Sequence, residues 1–485
     1  MIRFYELLPG ILTWTTLLAL VLCSWLFPLG TALFIILFDI YWFLKTVYLS
    51  LHLRIGFRIM RENMKINWLK KLEAKSYPLP APALAWDAVY HLIILPMCGE
   101  PYEIVRESFQ SLYAANYPKE KFLVVLATEE KAGDADRSTA QKIAEEFGSS
   151  FFKFLITTHP AGIPGELPGK GSNETWAAKE ATTKLIDPLR IPYERVLVSV
   201  FDVDTRVPSD YFGRLTYVFL TCAHPQRSSF QPIPLFLNNI YRAPALGRII
   251  SFSTTFWNMM QQARPERLTT FSSHSMPFKA LYEIGFWNTD IVSEDSQIFW
   301  QCYLHYNGDW RAEPLFYPVS MDANVAPTFW RTMANLYKQQ RRWAWGAENV
   351  SYVMHGFRTH PQIPWLTRLY WKFNLLEGYH SWATNALIIF SLGWLPLFLG
   401  GGDFNITLLS HNLPILTRWI LTLTMVGVVT SAILSIALLP PRPEWFRRRH
   451  YFLYFLQWLL MPLTLIFFGA FPAIEAQTRL MLGGR

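Results

Sequence analysis

Cysteine is scarce in this chain. Cys23, Cys98, Cys222 and Cys302 stand alone among 485 residues, with no CxxC pair and no spacing that builds a disulfide framework. A disulfide-stapled fold is excluded, and a reducing compartment suits the pattern. Charge is scarce too, and unevenly so: Asp, Glu, Lys and Arg make up 16% of the residues against 51% apolar, and residues 7–38, 378–402, 419–441 and 451–474 carry no charge at all. Each of these runs is long enough to cross ~30 Å of hydrocarbon at ~1.5 Å per helical residue, which excludes an ordinary soluble protein. Two common nucleotide signatures are also missing. No GxGxxG follows the first candidate strand, and "LPGKGSN" at 167–173 fails the P-loop pattern because Pro164 stands where a glycine is needed and Gly171 follows Lys170.

What is present begins with the spans. The first uncharged run is too long for one crossing, and Pro28-Leu29-Gly30 supplies a turn that divides it into helices at about 8–27 and 31–50. A removable signal peptide would have a shorter apolar core ending at a small-residue cleavage site, so two spans are expected. Three more follow the central region. Lys and Arg mark cytoplasmic flanks; seven lie in 51–76 and four arginines in 442–449, whereas 401–414 has none. Five alternating spans satisfy that asymmetry with the central region cytoplasmic. The formal charge of +8 owes much to these flanks, so it suggests contact with membrane lipids and no nucleic-acid footprint. Asp39 inside the second span is an expensive residue there, either functional or paired with Lys45.

In the middle, "HLIILPM" (91–97), "FLVVLAT" (122–128), "FFKFLIT" (151–157) and "RVLVSVFD" (195–202) are apolar on both faces, as buried parallel strands are. Helical patterns at 101–115, 136–147 and 172–187 alternate with them, predicting an α/β doubly wound sheet whose ligands bind at the strands' carboxyl ends. Acidic residues stand at two such ends: Glu129 and Glu130 after the second strand, Asp202 and Asp204 after the fourth. The latter pair, two apart on an extended chain, either holds a divalent ion or caps the turn before Pro208. Lys170 is presented by a glycine-rich turn, either solvated or facing a phosphate. Further on, Glu294 and Asp295 in "TDIVSEDSQ" suit both a helix start and a general base.

Residues 326–346 form an amphipathic helical pattern with an apolar stripe of Phe329, Trp330, Met333, Leu336 and Tyr337. Gln339, Arg342 and Trp343 fall at i, i+3 and i+4 on one face, combining an amide, a guanidinium fork and a large ring. Lys338 and Arg341 are expected to meet lipid headgroups.

The ordered set DxD (Asp202, Asp204), ED (Glu294, Asp295) and QxxRW (Gln339, Arg342, Trp343), embedded between spans, resembles the membrane-integrated family 2 glycosyltransferases, which include cellulose, chitin, hyaluronan and poly-N-acetylglucosamine synthases. The likeness runs over roughly residues 85–475. Lys170 and Asn173 match the family's Gly-Lys-x-x-Asn segment, whereas Glu129-Glu130 departs from its usual Asp-rich pair. The resemblance implies a GT-A-like sheet domain at 85–325, two N-terminal spans in 1–52, a basic cytoplasmic linker at 53–84, interfacial helices at 326–376 and three spans in 377–485. It further implies an inverting transfer from a nucleotide diphosphate sugar, UDP-linked, to a polysaccharide or lipid acceptor. In that scheme Asp204 and Asp202 hold Mg²⁺ or Mn²⁺, and Asp295 with Glu294 supplies the base. Glu129, Glu130, Lys170, Asn173, Asp202 and Arg342 meet the donor, while Gln339 and Trp343 meet the acceptor.

Overall fold

The computed structural model describes residues 2–75 and 84–484; part of the expected linker, 76–83, lies outside them. The chain divides into two compact units. One comprises Ile55–Asn238 and Trp257–Asp322; the other comprises the residues up to Arg54, Asn239–Phe256 and Ala323–Arg485. Residues 239–256 therefore belong with the helical unit, although their sequence position is inside the expected sheet domain.

The first unit is built on a seven-stranded sheet in the order β3-β2-β1-β4-β6-β5-β7. Its strands are β1 (Tyr90–Pro96), β2 (Phe122–Glu129), β3 (Lys153–His159), β4 (Val196–Val200), β5 (Ser228–Leu235), β6 (Ser275–Pro277) and β7 (Arg311–Ser320). The four expected strands pair in parallel, β1 lying between β2 and β4 and β2 against β3. Helices Tyr102–Tyr113, Gly133–Phe147 and Lys170–Ala181 make the connections. Every residue of β2 and β4 is buried, which is why those stretches are apolar on both faces rather than alternating. Leu95, Phe109, Phe122 and Phe212 lie in the core beneath them. β6 runs antiparallel between β4 and β5, and β5 and β7 are parallel.

β5 carries Pro232 and Pro234 and still lies inside the sheet, because its register shifts between Gln231 and Ile233 and so absorbs residues that cannot donate to a ladder. The buried Gln231 replaces the lost order: its Oε1 accepts from Phe271 N at 2.8 Å and its Nε2 donates to Ser272 O at 3.1 Å. This fixes the loop that precedes β6.

Among the described residues, four helices are long and apolar enough to cross a membrane: Arg3–Leu26, Pro28–Asn63, Leu408–Leu438 and Arg448–Leu482. Trp365–Phe390 and Leu392–Leu399 form a pair bent by 49° that counts as a fifth. The second helix runs on to Asn63, well beyond the expected end at 50, so the first part of the supposed linker is helical. Lys45 pairs with Glu377 at 2.5 Å, not with Asp39, which is buried. The helix expected over 326–346 spans Phe329–Ala344, its start fixed by Thr328, whose side chain accepts from Arg331 N at 3.3 Å. Met333 and Leu336 of its apolar stripe are buried, whereas Phe329 and Trp330 are exposed.

Candidate active site

The site in the sheet unit lies just beyond the carboxyl end of β4. The strand stops at Val200, so Asp202 and Asp204 sit on a turn closed by Thr205 N donating to Asp202 O at 2.8 Å, and the two carboxylates meet different surroundings. Asp202 Oδ2 accepts from Ser272 Oγ at 2.7 Å. Asp204 Oδ2 accepts from Asp322 N at 3.1 Å, while its Oδ1 is shielded from solvent and has no hydrogen-bond donor among the described residues. Burial, with Asp202 and Asp322 nearby, pushes the Asp204 carboxyl up to about 7.

Lys170 organises the centre. It opens the helix Lys170–Ala181, and its Nζ lies 2.8 Å from Asp202 Oδ1, 2.7 Å from Asp295 Oδ2, 3.5 Å from Glu174 Oε1 and 4.0 Å from Glu294 Oε1. Burial alone would push this ammonium down, but the carboxylates around it hold it well above the usual lysine range. The solvated alternative for Lys170 is therefore overturned, and within this structure its partners are carboxylates.

Glu174 is the residue that sequence reasoning missed. Its side chain is 0% exposed, both of its carboxylate oxygens lack a hydrogen-bond donor among the described residues, and burial pushes it well above the usual carboxylate range. The clue was available: it stands one helical turn after Lys170, the spacing of an ion pair. His274 was missed as well, and no local pattern marks it. Its Nδ1 donates to Phe271 O at 3.0 Å and lies 3.6 Å from Asp295 Oδ1, and burial lowers its proton affinity, so it is a neutral neighbour of Asp295.

Glu294 and Asp295 occupy the first turn of the helix Glu294–His305, where the dipole favours them. Gly171 makes room for that turn. A Cβ at position 171 would stand 3.0 Å from Glu294 Cβ and 3.3 Å from Asn288 O. Gly171→Ala is therefore expected to displace the Glu294–Asp295 turn and slow catalysis about tenfold or more, with unfolding temperature and turnover measured on the same preparation; unchanged turnover would show that the turn yields without consequence.

The other donor-side candidates have their own partners. Glu129 is buried and pairs with Lys131 at 2.6 Å, and the exposed Glu130 accepts from Ala161 N at 2.8 Å. Asn173, three residues after Lys170 on the same helix, is buried, and its Nδ2 donates to Ala127 O at 2.9 Å, tying the helix to β2.

In the helical unit, Gln339 and Trp343 are half-buried and Arg342 is exposed on the helix Phe329–Ala344. Lys338 is exposed. Arg341 does not reach toward headgroups as expected: its Nη1 donates to Glu475 Oε1 at 2.6 Å.

Residues 197–471 match the family model described as glycosyl transferase family group 2. Among curated proteins the chain is similar to poly-beta-1,6-N-acetyl-D-glucosamine synthases. The identity is 24% over 258 residues with the Staphylococcus epidermidis protein, 52% of this chain and 53% of that one. With the Staphylococcus aureus (strain COL) protein it is 24% over 275 residues, 56% and 57%. The chain thus matches about half the length of these relatives. Among solved structures it is similar to a mannosyltransferase from Pyrobaculum calidifontis in complex with GDP-Man and Mn²⁺, at 15% identity and a TM-score of 0.43 over 83% of this chain and 99% of that one. It is also similar to residues 1–349 of Staphylococcus aureus TarS in complex with UDP, at 11% identity and a TM-score of 0.36 over 71% and 90%.

Proposed function

Because the chain belongs to glycosyl transferase family group 2, matched over residues 197–471, we propose that it transfers a sugar, with inversion, from a UDP-linked donor to a growing polysaccharide at the cytoplasmic face of a membrane. The observation that carries the reading is Lys170 gathered with Asp202 and Asp295 at 2.8 and 2.7 Å: a cation, a DxD carboxylate and a base candidate meet at one place.

Asp295 is suited to the base role by its place beside Lys170: Oδ2 is held by the ammonium at 2.7 Å, Oδ1 is shielded from solvent, and the side chain as a whole stays 20% exposed. An acceptor hydroxyl that reaches this carboxylate gives up its proton as its oxygen attacks the anomeric carbon. The bond from that carbon to the phosphate oxygen breaks on the opposite face, and its electron pair leaves with the diphosphate. Lys170 balances phosphate charge, a role that the family resemblance assigns to Arg342 as well. Trp343 stacks on a sugar of the acceptor and Gln339 orients it. Glu129 and Glu130 at the end of β2, and Asn173 on the helix Lys170–Ala181, are assigned to the donor side.

Asp204 and Asp202 fit a divalent cation, Mg²⁺ or Mn²⁺: both offer hard oxygens, and Asp204 Oδ1 is shielded and without a donor. Glu174, Glu294 and Asp295 also bring carboxylate oxygens within 4.8 Å of one another, but the Lys170 ammonium already stands among them. Bound to the diphosphate, such an ion stabilises negative charge on the leaving group.

The candidate spans among the described residues support the membrane setting, and the Lys and Arg flanks favour the cytoplasmic side for the sheet unit. To test the whole reading, membranes containing the protein are given a panel of radiolabelled nucleotide sugars with Mg²⁺ or Mn²⁺. Label retained as high polymer is the expected result. A single labelled sugar extracted into organic solvent would replace the polymer with a lipid acceptor, and no metal-dependent diphosphate release from any donor would refute the proposal.

A further inference from the structure

The helix Phe329–Ala344 is gripped on one side by a single carboxylate of the chain's last helix, Phe471–Leu482. Glu475 Oε2 accepts from the Tyr337 hydroxyl at 2.8 Å, and Oε1 accepts from Arg341 Nη1 at 2.6 Å. Arg479 Nη2, one turn along the same helix as Glu475, lies 2.8 Å from that Oε1. Apolar contacts flank the grip: Ala344 with Ala473 and Ala476, and Met333 and Leu336 beside Phe468.

At about 3.6 residues per turn, Met333, Tyr337, Arg341 and Ala344 form one stripe along the helix. Gln339 and Arg342 fall on the opposite side, and Trp343 lies on the flank it shares with Leu336. The helix is thus held along one face while it presents Gln339 and Arg342 on the other.

The alanine contacts by themselves constrain sliding and rotation little, and apolar contacts in general are non-directional. Charge-assisted bonds are directional and constrain both. Two donors one turn apart, meeting one carboxylate, fix both the rotation of the helix and its position along its axis. Glu475 also has a reason to keep these partners: it directly follows the uncharged stretch 451–474, and a carboxylate at the edge of hydrocarbon is costly unless paired.

We propose that Glu475 is a positioning residue for sugar transfer, acting through Tyr337 and Arg341 to set where Gln339, Arg342 and Trp343 stand. The proposal rests on the transfer reading given above for that trio. Its consequence is that a residue at the far end of the chain, outside every recognised motif, controls the rate.

The test uses the full-length protein in lipid nanodiscs, with two readouts on each variant: amide hydrogen exchange across 329–344, and release of nucleoside diphosphate from UDP-sugars. Glu475→Ala is expected to speed exchange over 337–344 and to lower release on the order of 10²-fold, the scale of an ångström of misplacement. Glu475→Gln keeps an oxygen for Arg341 and turns its amide N–H toward the Tyr337 hydroxyl, which can accept it, so it should retain most of each property, a rescue that simple loss of packing does not predict. Unchanged exchange in Glu475→Ala overturns the proposal, since nothing would then be clamped. Faster exchange with unchanged release also overturns it, leaving the contact a lock without effect on transfer. If the wild type itself releases no diphosphate from any donor, the transfer reading is what fails. Exchange then decides the clamp alone, faster exchange in Glu475→Ala supporting it and unchanged exchange overturning it.

Discussion

Asp295→Asn lowers the rate of sugar transfer by about 10²- to 10⁴-fold, the usual worth of a general base, while donor binding is retained. Asparagine keeps the size of the side chain and an oxygen for Lys170, so the 2.7 Å contact that orients position 295 survives in weaker form. What disappears is the capacity to take a proton. The donor pocket does not suffer from the neutralisation, because one fewer carboxylate competes with phosphate for the Lys170 ammonium. Glu294→Gln provides the comparison: Glu294 is buried and stands 4.0 Å from Lys170, so its loss should cost less. Single-turnover transfer of labelled sugar, alongside a direct titration of nucleotide, separates the two steps. Near-normal transfer by Asp295→Asn with donor bound would take the base role away from this residue.

The parts of the fold visible in the sequence are those whose environment is uniform. β1, β2 and β4 are buried along nearly their whole length, so a short unbroken apolar run identifies them. β5 and β7 are hidden by their prolines, Pro232 and Pro234 in one and Pro314 and Pro318 in the other. Those residues argue against a central strand wherever the register cannot shift. The helix Pro28–Asn63 continues past its apolar part because Arg54, Arg58 and Arg61 tolerate helix as well as any residue; hydropathy registers the change of solvent, not the end of the helix. Within the site, Asp202, Asp295 and Lys170 were legible as types of side chain with a chemical use. Asp322 and His274 were not, because they reach the site through tertiary placement of loops. Asn173 shows the reverse limit. Its side chain matches a family pattern, and its bond to the carbonyl of Ala127, which ties the helix to β2, has no mark in the sequence.

Lys170→Met is expected to lose both transfer and stability, and the loss of stability should depend on pH and on divalent cations. In the wild type one ammonium serves Asp202, Asp295, Glu174 and Glu294. Removing it leaves carboxylates of one sign facing each other, with Glu174 wholly buried. Breaking a buried ion pair from one side costs about 3–5 kcal/mol, and the lower end applies because Asp202 keeps 35% of its side chain in water. The direction with pH follows from Glu174, whose proton affinity in the folded protein already exceeds its ordinary value because it is buried. Without Lys170 that affinity rises further. A carboxyl raised in this way supports folding below its ordinary value near 4.5 and withdraws that support as pH climbs through the folded-state value. The variant should therefore approach wild-type stability in mild acid and fall away toward neutrality. Mg²⁺ should restore part of the difference at neutral pH, since the oxygens of Glu174, Glu294 and Asp295 lie within 4.8 Å of one another and a hard cation can take the place of the ammonium. Thermal unfolding of both proteins in detergent, over pH and with or without Mg²⁺, measures each effect. Equal stability at neutral pH without Mg²⁺ would mean that the carboxylates do not depend on Lys170, and the charge balance described for the site would be wrong.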